Sequence, residues 1–88
     1  MRNSTLDYDS IELDFAHLLT AMQPMLSASE CDEVREYVDV GEYGLALRTA
    51  VAIYVEESKV ATAEVRELIS RLAKKMGQDA EVLLKRLG

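Results

Sequence analysis

Four segments in succession repeat apolar residues every three or four positions, and no other feature constrains the fold as strongly. Ile11, Phe15, Leu18, Leu19 and Met22 make the first stripe, and Cys31, Val34 and Val38 the second. Tyr43, Leu47, Ala50, Val51 and Tyr54 make the third, and Val65, Leu68, Ile69, Leu72 and Met76 the fourth. That spacing puts each set on one face of a helix. A helix with one apolar face must bury it against a neighbour. The 88 residues include one Pro and four Gly, which leaves room for long helices and few turns. The expected fold class is all-α: a compact bundle of four helices plus a short C-terminal helix, in one domain over residues 1–88. Trp is absent and aromatics are few, so Leu, Val, Ile, Ala and Met must form the core. A chain this short supplies one modest core and no cleft between lobes.

Punctuation residues mark the boundaries. Residues 1–8 lack a period and are expected to fray. Asp9 or Ser10 is the expected N-cap of the first helix, with Glu12 at capping-box spacing from Asp9. Pro24 stops that helix, and Met25 and Leu26 are expected to pack under the loop. Ser27-Ala28-Ser29-Glu30 is a capping box opening a second helix from about Ala28 to about Val40. Gly41 follows the last periodic residue, where a helix stops by entering the left-handed region. The third helix is expected from near Glu42 to near Glu57 or Ser58. Its middle, residues 51–55, has strand-like propensity, but its apolar period is 3.6 and not 2. Gly44 lies in its first turn, where Gly weakens a helix, so close approach of a neighbour's backbone is the expected reason. Thr62 caps the fourth helix, Arg71, Lys74 and Lys75 gather at its negative end, and Gly77 stops it. Asp79 is expected to cap the last helix, with Val82, Leu83 and Leu87 as its apolar contacts.

The net charge is −6 and is unevenly placed. Residues 1–59 hold twelve acids against four bases, and residues 60–88 hold six bases against four acids. An acidic body repels nucleic acid and anionic membrane, and suits a basic partner. Cys31 is single, so no disulfide forms within the chain, which fits a reducing cytoplasm. Its place on an apolar stripe makes it a packed hydrophobe. Met1-Arg2-Asn3-Ser4-Thr5 leads to acids and not to the apolar run of a signal peptide. No apolar stretch is long enough to span a bilayer.

Motifs of catalysis and ligation are thin. Asp9-Ser10-Ile11 resembles the Asp-Ser-Leu motif of acyl carrier proteins, in which the Ser bears a phosphopantetheine arm. The size and acidity fit a small acidic carrier or adaptor, but in a carrier a whole helix and a long loop precede that Ser. Asp7 and Asp9 hint at a calcium loop whose Gly is missing. His17 lies one position off the first stripe, and with one His and one core Cys neither a zinc site nor a Cys–His pair is expected. The residues thus point to no metal, no cofactor and no enzyme activity.

Glu33-Val34-Arg35-Glu36-Tyr37-Val38-Asp39-Val40-Gly41-Glu42-Tyr43-Gly44-Leu45-Ala46-Leu47 resembles the signature of the MafI-type immunity proteins. In that family a helix of the form E-V-R-E-[FY]-[IV] runs into G-E-Y-G-[LV]-A and then into a longer helix with an acidic end, here Glu56-Glu57. The likeness covers roughly residues 28–77; residues 1–26 and 78–88 carry no family signal. It implies a cytoplasmic bacterial protein that neutralises a cognate secreted toxin domain of polymorphic-toxin or contact-dependent inhibition systems. Related toxins are often ribonucleases, so a basic partner is implied. Asp32, Glu36 and Asp39 sit at i, i+4 and i+7 and line one flank of the second helix, where Arg35 is expected to offset the charge through Asp39. By itself that flank is a solvated face. With the resemblance, Asp32, Glu36, Asp39, Glu42 and the Tyr43 hydroxyl become the candidate toxin-binding surface, with Glu56 and Glu57 next. Tyr43 also belongs to the third stripe, so its ring is expected in the core.

Overall fold

The computed structural model describes residues 7–88. Five helices follow one another: α1 Tyr8–Met22, α2 Ala28–Asp39, α3 Tyr43–Glu56, α4 Ala63–Lys75 and α5 Ala80–Leu87. The protein is an all-α bundle, as its apolar period requires. Residues 51–55 are helical, and Val51, Ile53 and Tyr54 are buried. Burial of a 3.6-residue stripe outweighs their intrinsic preference for strand.

Each helix touches its neighbours in a closed circuit, α1–α2–α3–α5–α4 and back to α1, and α3 meets α4 across the middle. α2 and α3 form a hairpin. α1 and α4 run antiparallel, because Ser10 and Asp14 meet Lys75 while Asp14 also meets Arg71, one turn earlier. The four stripes converge on one core, with Phe15, Leu18, Met22, Val34, Leu47, Val51, Val65, Ile69 and Leu72 fully covered. Met76 and Tyr43 pack against its edge. Two expected contacts are wrong. Val82 faces solvent while Leu83 is buried and Leu84 packs at the edge, because α5 turns its face between α3 and α4. Leu26 is buried under the α1–α2 loop but Met25 stays largely exposed.

The N-terminal boundary also moves. The cap of α1 is Asp7, whose carboxylate accepts from the Ser10 amide, and neither Asp9 nor Ser10 serves. The helix starts earlier because Asp7 supplies the cap and Tyr8, though exposed, packs against Tyr43, with ring centroids 5.7 Å apart. Of the segment expected to fray, Asp7 and Tyr8 are therefore structured, and residues 1–6 lie outside the described residues. The Ser27–Glu30 capping box forms in both directions: the Glu30 amide donates to Ser27 Oγ at 3.1 Å and the Ser27 amide to Glu30 Oε1 at 2.9 Å. Thr62 and Asp79 cap α4 and α5 as expected.

Three helices end in the same way. After α2 the Glu42 amide donates to the Tyr37 carbonyl and the Gly41 amide to the Val38 carbonyl, with Gly41 at φ +80°. After α4 the Gln78 and Gly77 amides repeat the pattern onto Ala73 and Lys74. This is the Schellman closure, which needs a left-handed residue. After α3 the Lys59 and Ser58 amides bond the Tyr54 and Val55 carbonyls, but the left-handed residue is Ser58, at φ +54°. A Cβ there crowds the following carbonyl, a strain of roughly 1 kcal/mol that Gly would not carry. Ser58→Gly should therefore raise unfolding stability by about 0.5–1 kcal/mol in urea denaturation, after allowing for the freer unfolded chain. A loss of stability would mean that the Ser58 side chain contributes something its exposed position does not explain.

Candidate functional site

The acidic flank of α2 is an exposed ridge. Cys31, Val34 and Val38 bed one side of the helix in the core, which leaves Asp32, Glu33, Glu36 and Asp39 facing outward. The ridge runs into the α2–α3 corner, where Glu42 is also exposed. Arg35 does not pair with Asp39. Its Nη1 lies 2.7 Å from Asp32 Oδ1, one turn back, so the first acid of the ridge is offset. Among the described residues Glu36, Asp39 and Glu42 make no ion pair. The corner itself is held by the two Schellman hydrogen bonds, which gives these carboxylates a fixed base.

Tyr43 joins the corner to α1. Its ring packs between Tyr8 and Phe15, with centroids 5.7 and 6.1 Å away. Its hydroxyl donates to Glu12 Oε2 and is engaged within the chain. The hydrogen bond to Glu12 favours the neutral phenol and, with desolvation and the negative charge of Glu12, pushes the hydroxyl up to about 12. The ring is partly buried at the core edge. Gly44, next in sequence, faces the α4–α5 turn: a Cβ there would stand 2.9 Å from Gln78 Nε2. The close approach is by a side chain and not by the expected backbone. Glu56 and Glu57 are exposed at the other end of α3, roughly 20 Å from Glu42 at 1.5 Å per residue. The fold thus gathers Asp32, Glu36, Asp39 and Glu42 on one ridge and corner, ties Tyr43 to Glu12, and leaves Glu56 and Glu57 apart.

A charge inside the core edge has no counterpart in the sequence reading. Asp14 is 4% exposed, on the side of α1 that meets α4. Lys75 Nζ donates to its Oδ2 at 2.7 Å and Arg71 Nη1 lies 3.6 Å from its Oδ1. Lys75 also donates to Ser10 Oγ, so the Ser of the carrier-like motif serves the α1–α4 contact. A sequence signal was present: Asp14 lies three residues after Ile11 and four before Leu18, on the face that the first stripe occupies. The pairing partner becomes visible only when the helices are packed.

The remaining chemistry is sparse. Cys31 is buried, and burial pushes its thiol up, so it stays protonated and inert. His17 is exposed. Among the described residues no group of three or more His, Cys, Asp or Glu is placed to hold a metal ion. No helix among them is long and apolar enough to cross a membrane. No family model, curated protein or solved structure matches this chain.

Two measurements follow from this geometry. Lys75→Met leaves Asp14 with the more distant Arg71 alone. It should cost about 1–3 kcal/mol in denaturant melts, below the full penalty for a buried charge because Lys75 is itself 32% exposed. The double variant Asp14→Leu/Lys75→Met should recover most of that loss, since a packed apolar pair replaces a buried ionic one. The second measurement is a tyrosinate absorbance titration. One tyrosine should ionise near 12, and Glu12→Ala should return it toward the ordinary 10. Because the folded value is raised, the associated stability is whole below pH 10 and fades as the pH rises through about 12.

Proposed function

We propose that the protein is an immunity-type binding protein that neutralises a basic toxin domain through the acidic ridge of α2 and the corner after it. The observation that carries this reading is the ridge itself. Asp32, Glu36, Asp39 and Glu42 are presented to solvent by a helix whose opposite side is locked in the core. Like charges one turn apart cost helix stability, a cost that a basic partner would offset. Carboxylates in fixed geometry suit the Lys and Arg side chains of a protein that grips phosphate. The likeness of residues 33–47 to the MafI-type signature lies on this same helix and corner. In this reading the chain binds and has no turnover of its own, and a ribonuclease is the favoured partner class because the toxins of the family it resembles are often ribonucleases.

The test is binding to the product of the adjacent open reading frame, measured by surface plasmon resonance, with protection of cells as a second readout. Glu36→Lys/Asp39→Lys should keep its helical circular dichroism, because exposed substitutions seldom cost much. It should associate more slowly and with less sensitivity to salt. If one pair is buried at the interface, the loss should reach roughly 2–5 kcal/mol and appear in the dissociation rate. A folded double variant that binds with unchanged rates and still protects would move the contact elsewhere, first to Glu56 and Glu57.

A further inference from the structure

The outward face of α4 carries a charge order that matches itself in reverse. Glu64, Glu67, Arg71 and Lys74 follow at i, i+3, i+7 and i+10 and form one exposed row. Glu64 and Lys74 stand five residues either side of Ile69, and Glu67 and Arg71 stand two either side. A second α4 laid alongside in the opposite direction would set every acid of one row against a base of the other. An isologous two-fold interface requires this kind of self-complementarity.

We propose that α4 is a self-association surface, on which two copies of this chain pair antiparallel about a two-fold axis at the middle of the helix. Glu64 of each copy faces Lys74 of the other, and Glu67 faces Arg71. The row stands between two shallow depressions, one reaching His17 and Leu68 and the other Ser70 and Lys74, so each ridge has a groove to enter. Ser70, near the midpoint, is small. On α1, Leu13 is 57% exposed and neighbours Asp14, which meets Arg71. Leu13 lies one turn before His17, which borders the row, and so adds exposed apolar surface toward the Arg71–Lys74 end.

Acids early and bases late in α4 also suit the helix dipole. The dipole has no bearing on the exposed Leu13 beside them. The contrast with α2 is instructive: its outward face holds acids throughout, and two such faces would repel. Within one chain Arg71 already serves Asp14 and Glu67, whereas Glu64 and Lys74 form no ion pair among the described residues. The outer pair is therefore the one to vary. α2 and α4 share no contact and α1 touches both, so pairing through α4 leaves the acidic ridge open. The inference stands independently of the toxin reading.

Sedimentation velocity over a concentration series tests it. At low salt the wild-type chain should form dimers that dissociate as salt is raised to about 0.5 M, because exposed ion pairs are screened. Glu64→Lys and Lys74→Glu each set like charges across the axis at both ends. Each should weaken the dimer by about tenfold or more while the circular dichroism stays helical. An equimolar mixture of the two variants should restore the wild-type affinity, because opposite charges then face each other again. A wild-type chain that stays monomeric throughout would overturn the proposal. So would variants that dimerise as well as wild type, or a mixture no tighter than either variant alone.

Discussion

The buried carboxylate of Asp14 sets the relation between α1 and the rest of the molecule. Removed from water, an ionised carboxylate costs several kcal/mol unless cations and donors answer it. Here the answer comes from Lys75 and Arg71 at the end of α4, where the helix dipole already favours cations. The same Lys75 reaches Ser10, so two points on α1 are tied to one residue of α4. Sliding α1 by one turn, about 5.4 Å, would strand the charge. Apolar stripes alone tolerate such slips, because Leu, Val and Ile contacts are not directional.

With α1 held in that register, the corner after α2 acquires its shape. Tyr8 and Phe15 flank the Tyr43 ring, and Glu12 accepts from its hydroxyl. Tyr43 opens α3, so the start of α3 is anchored to α1 although the two helix backbones do not meet closely. The other side of the corner is closed by Gly41 in the left-handed region. A helix end fixed from both sides can carry Asp39 and Glu42 without help from side-chain caps, and α3 indeed begins with none. Rigidity of this kind limits the entropy that ordering a binding surface would otherwise cost.

Charge is sorted among the helices by the same packing. The acids of α2 are outward because Cys31, Val34 and Val38 are inward, and on the outward row of α4 acids come first and bases last. α1 lies against both helices and separates their outer faces. One face is mainly acidic, with Arg35 offsetting only Asp32 at its start, and suits a partner of opposite sign. The other is balanced along its length and suits a copy of itself.

The helices themselves were legible in the sequence. The four apolar stripes, the Ser27–Glu30 capping box, the Thr62 and Asp79 caps and the Gly41 and Gly77 stops are local signals, each acting within one or two turns, and each sits where it was read. The ridge of Asp32, Glu36 and Asp39 was legible for the same reason, since helical spacing alone sets which residues share a face. Tertiary structure decided the rest. The Asp14–Lys75 and Tyr43–Glu12 pairs join residues far apart in sequence, and spacing says nothing about which helix face meets which. Arg35 chose Asp32, three residues before it, over Asp39, four after it, through side-chain geometry that spacing alone leaves open, since both lie within one turn. The start of α1 moved to Tyr8 because Tyr43, thirty-five residues on, gave Tyr8 something to pack against. Ser58 took a left-handed turn that its residue type disfavours, because the path from α3 to α4 demanded it. Local chemistry chose the helices, and the requirement that every buried group find a partner chose how they meet.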